Sequence, residues 1–343
     1  MTGRWVRIGV PILGLLGITL LGLWWFVASE APREIPASKA GRPDAPGRVV
    51  YIPPGSGLRA IAGQLEDAGV VRHRWLFVSA ALLARQHRAL RPGEYALRSD
   101  MSLREILQLL AVGRVLLHRV TIPEGFTARQ IAAMLAREGL ADEVRFLALA
   151  TDPVFAQRLG LEQGGLEGFL FPDTYLLARG LREEDILRQM VARFRQLFGE
   201  TEVARARELG LSVGAVVTLA SIVEREARVA EERALVSGVF HNRLRRAMPL
   251  QADPTVLYPS AGRRRITRLD LRTATPYNTY VIAGLPPGPI ANPGRAALQA
   301  ALYPAQTAFV YFVARKDGSH EFSRSLRDHE RAVRRYQVAR REE

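Results

Sequence analysis

The chain has 343 residues, of which 48% are hydrophobic, and this is enough apolar sequence for about two globular domains. It contains no cysteine, which excludes disulfide scaffolds, thiolate metal sites, iron–sulfur clusters and cysteine nucleophiles. The formal net charge is +14, and all basic residues except Lys39 and Lys316 are arginines. These arginines are spread along the chain without zinc-finger spacing or a basic heptad helix, so we interpret them as a solvated surface and predict no nucleic-acid partner.

The N-terminus carries a long uncharged segment. Residues Ile8–Ser29 are 22 residues without a charge, and as a helix they would span roughly 33 Å, enough for a hydrocarbon core of ~30 Å. Arg4 and Arg7 precede the segment and Glu30 follows it, so the positive-inside rule leaves the N-terminus in the cytoplasm. The alternative is a cleaved signal peptide, but the apolar run exceeds the roughly 7–15 residues of such a region. We therefore predict a cytoplasmic N-terminus (1–7), a single transmembrane helix (8–29) and everything else outside.

Residues 30–47 are rich in proline and charge and lack an apolar period, which is typical of a linker. An internal repeat follows it. Ile52-Pro53-Pro54-Gly55 returns seventy residues later as Ile122-Pro123-Glu124-Gly125. Each copy predicts a short strand, a Pro-x-Gly turn and a helix ended by glycine, Gly69 or Gly139. Residues 48–142 are thus predicted as one module, which either grips a polymer such as glycan or is a structural duplication without a ligand.

Between the two copies, the pattern predicts a helix over 75–90, a strand over 93–97 and a helix from Ser102 to Gly113. Residues 143–343 form the second predicted domain. Its first distinctive feature is the segment 166–175, which combines aromatic residues, carboxylates and a turn. Such a segment suits a carbohydrate cleft, but a hydrophobic loop at a domain boundary has the same composition.

Two helices are predicted next, over 183–198 and from the N-cap Ser212 to Ala227. The second is apolar nearly all round, and Glu224 lies on the continuation of its buried stripe, one turn after Ala220. A carboxylate there is costly unless it is paired or protonated, which makes Glu224 a candidate catalytic acid. It could equally mark where the helix reaches solvent, or pair with an arginine. Glu226 is about 200° further round the helix and is expected to face elsewhere.

A helix over 231–246 leads to Gln251, a candidate polar contact, and to the turn at Asp253-Pro254. A stiff loop, 284–294, precedes a helix for which we predict Asn292 as the N-cap. A hairpin, 309–314 with 320–323, and a basic terminal helix complete the chain. The histidines lack metal-ligand spacing, so no metal site is predicted.

Five motifs follow one another in the second domain: Leu166-Glu167-Gly168-Phe169-Leu170-Phe171-Pro172-Asp173-Thr174-Tyr175; Ala220-Ser221-Ile222-Val223-Glu224-Arg225-Glu226; Phe240-His241-Asn242-Arg243-Leu244, with Leu250-Gln251-Ala252-Asp253-Pro254-Thr255-Val256; Tyr277-Asn278-Thr279-Tyr280; and Gly284-Leu285-Pro286-Pro287-Gly288-Pro289-Ile290. In this order they resemble the endolytic murein transglycosylase family (MltG, YceG-like). The resemblance implies an α+β fold with a LysM-like α/β module before a mainly helical α+β catalytic domain. It also implies a bacterial inner-membrane enzyme with its catalytic domain in the periplasm.

The resemblance further implies cleavage of the β-1,4 bond between N-acetylmuramic acid and N-acetylglucosamine within peptidoglycan strands, with 1,6-anhydromuramic products and a role in terminating nascent strands. Glu224 occupies the position of the family's catalytic glutamate. No cofactor is implied, and the expected partners are peptidoglycan glycan strands and peptidoglycan synthases. The candidate substrate-binding residues are Glu167, Phe171, Asp173, Gln251, Asp253, Tyr277 and Asn278. A peptidoglycan hydrolase and a non-catalytic, membrane-tethered peptidoglycan-binding protein remain as alternatives.

Overall fold

The computed structural model describes residues 47–162, 164–260 and 266–338. The predicted cytoplasmic segment, the transmembrane helix and all of the linker except Gly47 lie outside the described residues. Within the described residues the chain forms two compact units, one of residues up to His118 together with Ala178–Gly180, the other of the remainder. Helices dominate and the strands form three two-stranded sheets, so the predicted mainly helical α+β class is confirmed for this part of the chain.

The first unit packs three helices against a strand pair. Its elements are β1 (Arg48–Ile52), α1 (Leu58–Asp67), α2 (Arg74–Leu83), β2 (Gly93–Leu97) and α3 (Leu103–Val112). β1 and β2 are antiparallel, with Arg48 opposite Leu97 and Ile52 opposite Gly93. Buried apolar side chains from all five elements form one core, among them Ile52, Ile61, Phe77, Tyr95 and Ile106.

The second unit contains most of the helices. Its elements are β3 (Leu117–Thr121), α4 (Ala128–Arg137), α5 (Glu143–Ala150), α6 (Pro153–Arg158), β4 (Thr174–Ala178), α7 (Glu183–Leu197), α8 (Glu200–Glu208), α9 (Val213–Glu226), α10 (Arg233–Arg245), α11 (Asp253–Leu257), α12 (Arg295–Leu302), β5 (Tyr311–Ala314), β6 (His320–Ser323) and α13 (Leu326–Val333). The first two residues of β3 and the last residue of β4 are assigned to the first unit. β3 pairs with β4, and β5 with β6. At the centre, α9 packs against α10, α11 and α12, which explains why its sequence is apolar nearly all round.

The two copies of the repeat have the same local structure but belong to different units. β1 and α1 form the first copy, and β3 and α4 form the second. Gly69 and Gly139 follow the two helices with φ of 62° and 66°, so glycine ends each helix as predicted. The second helix packs against α5 in the core of the second unit. The predicted boundary between a module of residues 48–142 and a catalytic domain of residues 143–343 stays a prediction.

Two local predictions are wrong. The helix predicted over 75–90 ends at Leu83, because Arg85 adopts a left-handed conformation with φ of 55°. The helix predicted to begin after Asn292 begins at Arg295, with Gly294 as its N-cap. Asn292 does not cap this helix, because its side chain forms three hydrogen bonds with other segments, one of them buried and two partly buried.

No single helix among the described residues is long and apolar enough to cross a membrane. The pair α8 and α9 meets that test of length and composition only when the two are joined, and they are bent by 89°.

Candidate active site

Glu224 lies in the last turn of α9. The helix begins after Ser212, whose hydroxyl accepts the Ala215 amide at 3.1 Å. The Glu224 carboxyl group continues the stripe of the buried residues Val217 and Ala220, and the Glu224 side chain is only 7% exposed. Burial raises the pKa of Glu224, as the sequence pattern predicts. The carboxyl is therefore a candidate proton donor held near the surface.

The loop 284–294 supplies a hydrogen bond to this carboxyl. The Gly294 amide donates to Glu224 Oε2 at 3.0 Å. Two further bonds fix the loop, because the Ile290 amide donates to Ser221 Oγ at 3.0 Å and the Asn292 amide donates to the Phe126 carbonyl at 2.9 Å. Ser221 lies one turn before Glu224 on the same helix, so α9 positions both the acid and the loop that contacts it.

The turn between β3 and α4 brings a second carboxyl group to the same place. Glu124 is exposed, and a Cβ at Gly294 would overlap its carboxylate. Gly125 follows with φ of 75°, and a Cβ built there would lie 3.5 Å from Glu224 Cγ. The charge of Glu124 also raises the pKa of Glu224, after the larger effect of burial. Two carboxyl groups thus meet at Gly294.

Two arginines near Glu224 lower its pKa. Arg233 Nη2 of α10 lies 3.7 Å from Glu224 Oε1, and its Nε is buried without a hydrogen-bond partner. Arg225, the next residue on α9, donates to the Gly125 carbonyl at 3.3 Å. Both cations lower the pKa of Glu224, but less than burial raises it.

Glu167 forms a partly buried hydrogen-bond cluster beside the loop 284–294. Its carboxyl oxygens accept the Ala128 amide at 3.0 Å, Asn292 Nδ2 at 2.8 Å and the Tyr258 hydroxyl at 3.2 Å. Burial raises the pKa of Glu167 to about 7, although these donors oppose the change. Since its partners come from α4, the loop 284–294 and the end of α11, Glu167 holds the framework of the site together.

Glu226 is the third carboxyl group with a raised pKa. Burial is the main cause and the neighbouring Asp253 is the second, and together they raise the pKa of Glu226 to about 8. The Tyr280 hydroxyl donates to Asp253 Oδ1 at 2.6 Å. Glu226 and Glu224 contact different groups, as their rotation about the helix predicts. Glu226 is only partly exposed, and Asp253 of α11 lies beside it.

The profile of the YceG-like family matches residues 50–335. The chain belongs to the YceG-like family. The resemblance predicted from the five motifs is therefore confirmed.

Relatives of this YceG-like chain carry an enzyme name. A Bacillus subtilis protein named endolytic murein transglycosylase is 34% identical over 304 residues, covering 84% of this chain and 84% of the relative. A Streptococcus pneumoniae protein of the same name is 31% identical over 318 residues, covering 83% of this chain and 57% of the relative. The crystal structure of a YceG-like protein from Listeria monocytogenes aligns with a TM-score of 0.58 at 32% identity, over 83% of this chain and 98% of that one.

The other predicted substrate-binding residues of the YceG-like chain have varied surroundings. Tyr277 is half-buried beside Tyr258, with ring centroids 5.0 Å apart. Gln251 is exposed with φ of 53°, and its Oε1 accepts Arg243 Nη1 at 3.1 Å. Asn278 is buried, and its side-chain amide holds the segment 270–278 in place by donating to the carbonyls of Asp270, Leu271 and Thr273. Of these three residues, Gln251 alone is exposed; substrate contacts for all three stay predictions.

Phe171 and Asp173 lie in the segment 166–175. Phe171 is buried in the core of the second unit, so its ring is not presented as a surface for a sugar. Burial favours protonation of Asp173, but bonds from the Thr174 amide and from Arg193 Nε at 2.6 Å lower its pKa below the usual value. Substrate contacts for Phe171 and Asp173 stay predictions, and the segment keeps both of its interpretations, a carbohydrate cleft and a hydrophobic loop at a domain boundary.

Sequence reasoning missed Glu124, Arg233 and Gly294 as parts of the site. One signal was present for Glu124, because the two copies of the repeat differ there, with Pro54 in the first copy and Glu124 in the second. Arg233 and Gly294 carried no local signal, since only tertiary packing brings them to Glu224. Among the described residues, no group of three or more His, Asp or Glu side chains is arranged to hold a metal ion.

Proposed function

We propose that this chain is a peptidoglycan lytic transglycosylase that cuts the β-1,4 bond between N-acetylmuramic acid and N-acetylglucosamine within glycan strands. The observation that carries the proposal is the carboxyl of Glu224, which is mostly buried, has a raised pKa and accepts the Gly294 amide. The enzyme name of the relatives supports the substrate class.

Glu224 performs both proton transfers in this mechanism. As the glycosidic bond breaks, its carboxyl group gives a proton to the leaving oxygen of N-acetylglucosamine, and the muramic acid ring passes through an oxocarbenium-like state. The muramic acid 6-hydroxyl then bonds to its own anomeric carbon and returns a proton to the Glu224 carboxylate. No water is consumed. The Gly294 amide stabilises the carboxylate between the two transfers, since a hydrogen bond to the charged form favours that form.

The anchor and the cellular role are part of the same proposal. Residues 8–29 are apolar and uncharged behind Arg4 and Arg7, which supports a single-pass inner-membrane protein with its catalytic domain in the periplasm. There it would cut strands as peptidoglycan synthases extend them and so terminate their growth. A reporter fused after Glu343 should be active only outside the cytoplasm. Activity of the fusion in the cytoplasm would contradict this topology.

The mechanism is tested by Glu224→Gln. The amide keeps the size of the side chain and cannot transfer a proton, so release of anhydromuropeptides should fall by about a hundredfold or more. Glu138→Gln, at an exposed position after α4, is the matched control and should keep full activity. Glu226→Gln tests the rival acid. Full activity of Glu224→Gln together with loss in Glu226→Gln would transfer the role to Glu226.

A peptidoglycan hydrolase is the second candidate, and Glu124 is the observation that favours it. Hydrolysis requires a second carboxylate that activates water or attacks the sugar, and Glu124 lies beside Glu224 at Gly294. Mass spectrometry of digested sacculi separates the two reactions, because the anhydro product lacks one water relative to the reducing end. A non-catalytic binding protein would release neither product.

A further inference from the structure

The surroundings of Glu224 contain charges of both signs on different elements. Glu124 approaches from the turn between β3 and α4, and Arg233 approaches from α10. We propose that Glu124 is a positioning residue of the reaction, and this proposal rests on the proposed function. The negative charge of Glu124 opposes the positive charge of Arg233 and so keeps the proton on Glu224 until the leaving oxygen takes it.

The geometry places the Glu124 carboxylate close to the acid without a direct bond between them. Glu124 fills the space where a side chain at Gly294 would lie, while the Gly294 amide donates to Glu224. A side chain at Gly294 would displace the Glu124 carboxylate, which is the far end of an exposed side chain, from its place beside the Gly294 backbone. The backbone of Gly294 has φ of −77°, which any residue adopts, so a substitution here would act through the Glu124 carboxylate and not through the backbone conformation.

Few other charged groups near Glu224 affect its protonation. The loop 284–294 contains no titratable side chain. The buried face of α12 is apolar, and α11 brings Asp253 to Glu226. Besides Glu124 and Arg233, the charged group acting on Glu224 is Arg225 of its own helix.

Each charge has a defined sign of effect. A negative neighbour disfavours ionisation of a carboxyl group and a positive neighbour favours it. Accordingly Glu124 raises the pKa of Glu224 and Arg233 lowers it, both acting on the larger effect of burial. A general acid works only while protonated, so its pKa sets the pH above which the rate falls.

The experiment measures kcat/KM for anhydromuropeptide release against pH in the full-length protein. Glu124→Gln should move the high-pH limb down by roughly 0.5–1 pH unit with little change below it, and Arg233→Gln should move it up by a similar amount. Glu138→Gln is the control and should leave the limb in place. The same samples, labelled with carboxyl-¹³C glutamate, give the pKa of Glu224 directly by NMR, with Glu224→Gln used to assign its signal.

The two variants must shift the limb and the NMR titration in opposite directions. An unchanged titration in Glu124→Gln, a shift to higher pH, or an equal loss of rate at every pH would overturn the proposal. If the wild-type protein releases no product, the proposed function fails by itself. In that case the NMR titration still decides whether Glu124 controls the protonation of Glu224.

Discussion

Asn292→Ala tests whether the buried side-chain amide of Asn292 holds the loop 284–294 in place. The side chain accepts the Leu170 amide at 2.9 Å and donates to the Phe126 carbonyl at 2.9 Å and to Glu167 at 2.8 Å. Leu170 would be left with a buried, unpaired N–H, which costs about 1–3 kcal/mol. The Phe126 carbonyl keeps the bond from the Asn292 backbone, so its share is only about 0.5 kcal/mol.

The bond to Glu167 adds about 1–2 kcal/mol, because a pKa of about 7 leaves that carboxyl only partly ionised at neutral pH. The second unit should therefore lose about 2.5–5.5 kcal/mol of stability. Hydrogen exchange of the α9 amides that open only with the whole unit should accelerate roughly 60- to 8,000-fold. Gln299→Ala, at an exposed position on α12, is the control and should stay within about 0.5 kcal/mol. An acceleration below about fivefold in Asn292→Ala would refute this hydrogen-bond reasoning.

Two further predictions follow from the turn glycines and from Glu226. Gly125→Ala and Gly55→Ala each introduce a side chain at a left-handed position, with φ of 75° and 81°, and should each cost about 1–2 kcal/mol in thermal unfolding. The activity should fall only in Gly125→Ala, because the strained turn there lies in van der Waals contact with Glu224 and its carbonyl accepts Arg225, whereas Gly55 has open space. Equal activities of the two variants would contradict this reasoning. Because the pKa of folded Glu226 is raised to about 8, its stabilising effect is complete below about pH 4.5 and is lost as the pH rises through 8. Thermal unfolding from pH 5 to 9 should therefore show a smaller loss of stability with rising pH in Glu226→Gln than in the wild type, and identical pH slopes would contradict this.

The helices could be predicted well from the sequence where a local signal was strong. Ser212 as N-cap and the apolar run after it gave α9 and placed Glu224 at the end of a buried stripe. Ser102 and Gly113 likewise gave α3, with a capping box at one end and a left-handed glycine at the other. In these places the chain itself contains both the periodicity and the terminal signals.

The surroundings of Glu224 could not be predicted in this way. Asn292 has the composition and position of an N-cap, but its side chain bonds to residues more than a hundred positions away. Likewise, helix rotation correctly separates Glu226 from Glu224, yet it cannot show that Asp253 of α11 lies beside Glu226. Which groups surround a side chain depends on tertiary packing, and a single sequence carries little information about it.

The hydrogen bonds of the loop 284–294 have a consequence for the order in which the protein becomes active. They join Phe126 to Asn292, 166 positions apart, and Glu224 to Gly294, 70 positions apart. Contacts of such separation form slowly, because the loop-closure entropy must be overcome before they contribute stability. A growing chain that has not reached Gly294 has no donor for Glu224, whatever else has folded. The proposed site is thus completed only after Gly294 has been synthesised, so a chain that ends before Gly294 lacks this hydrogen bond to Glu224.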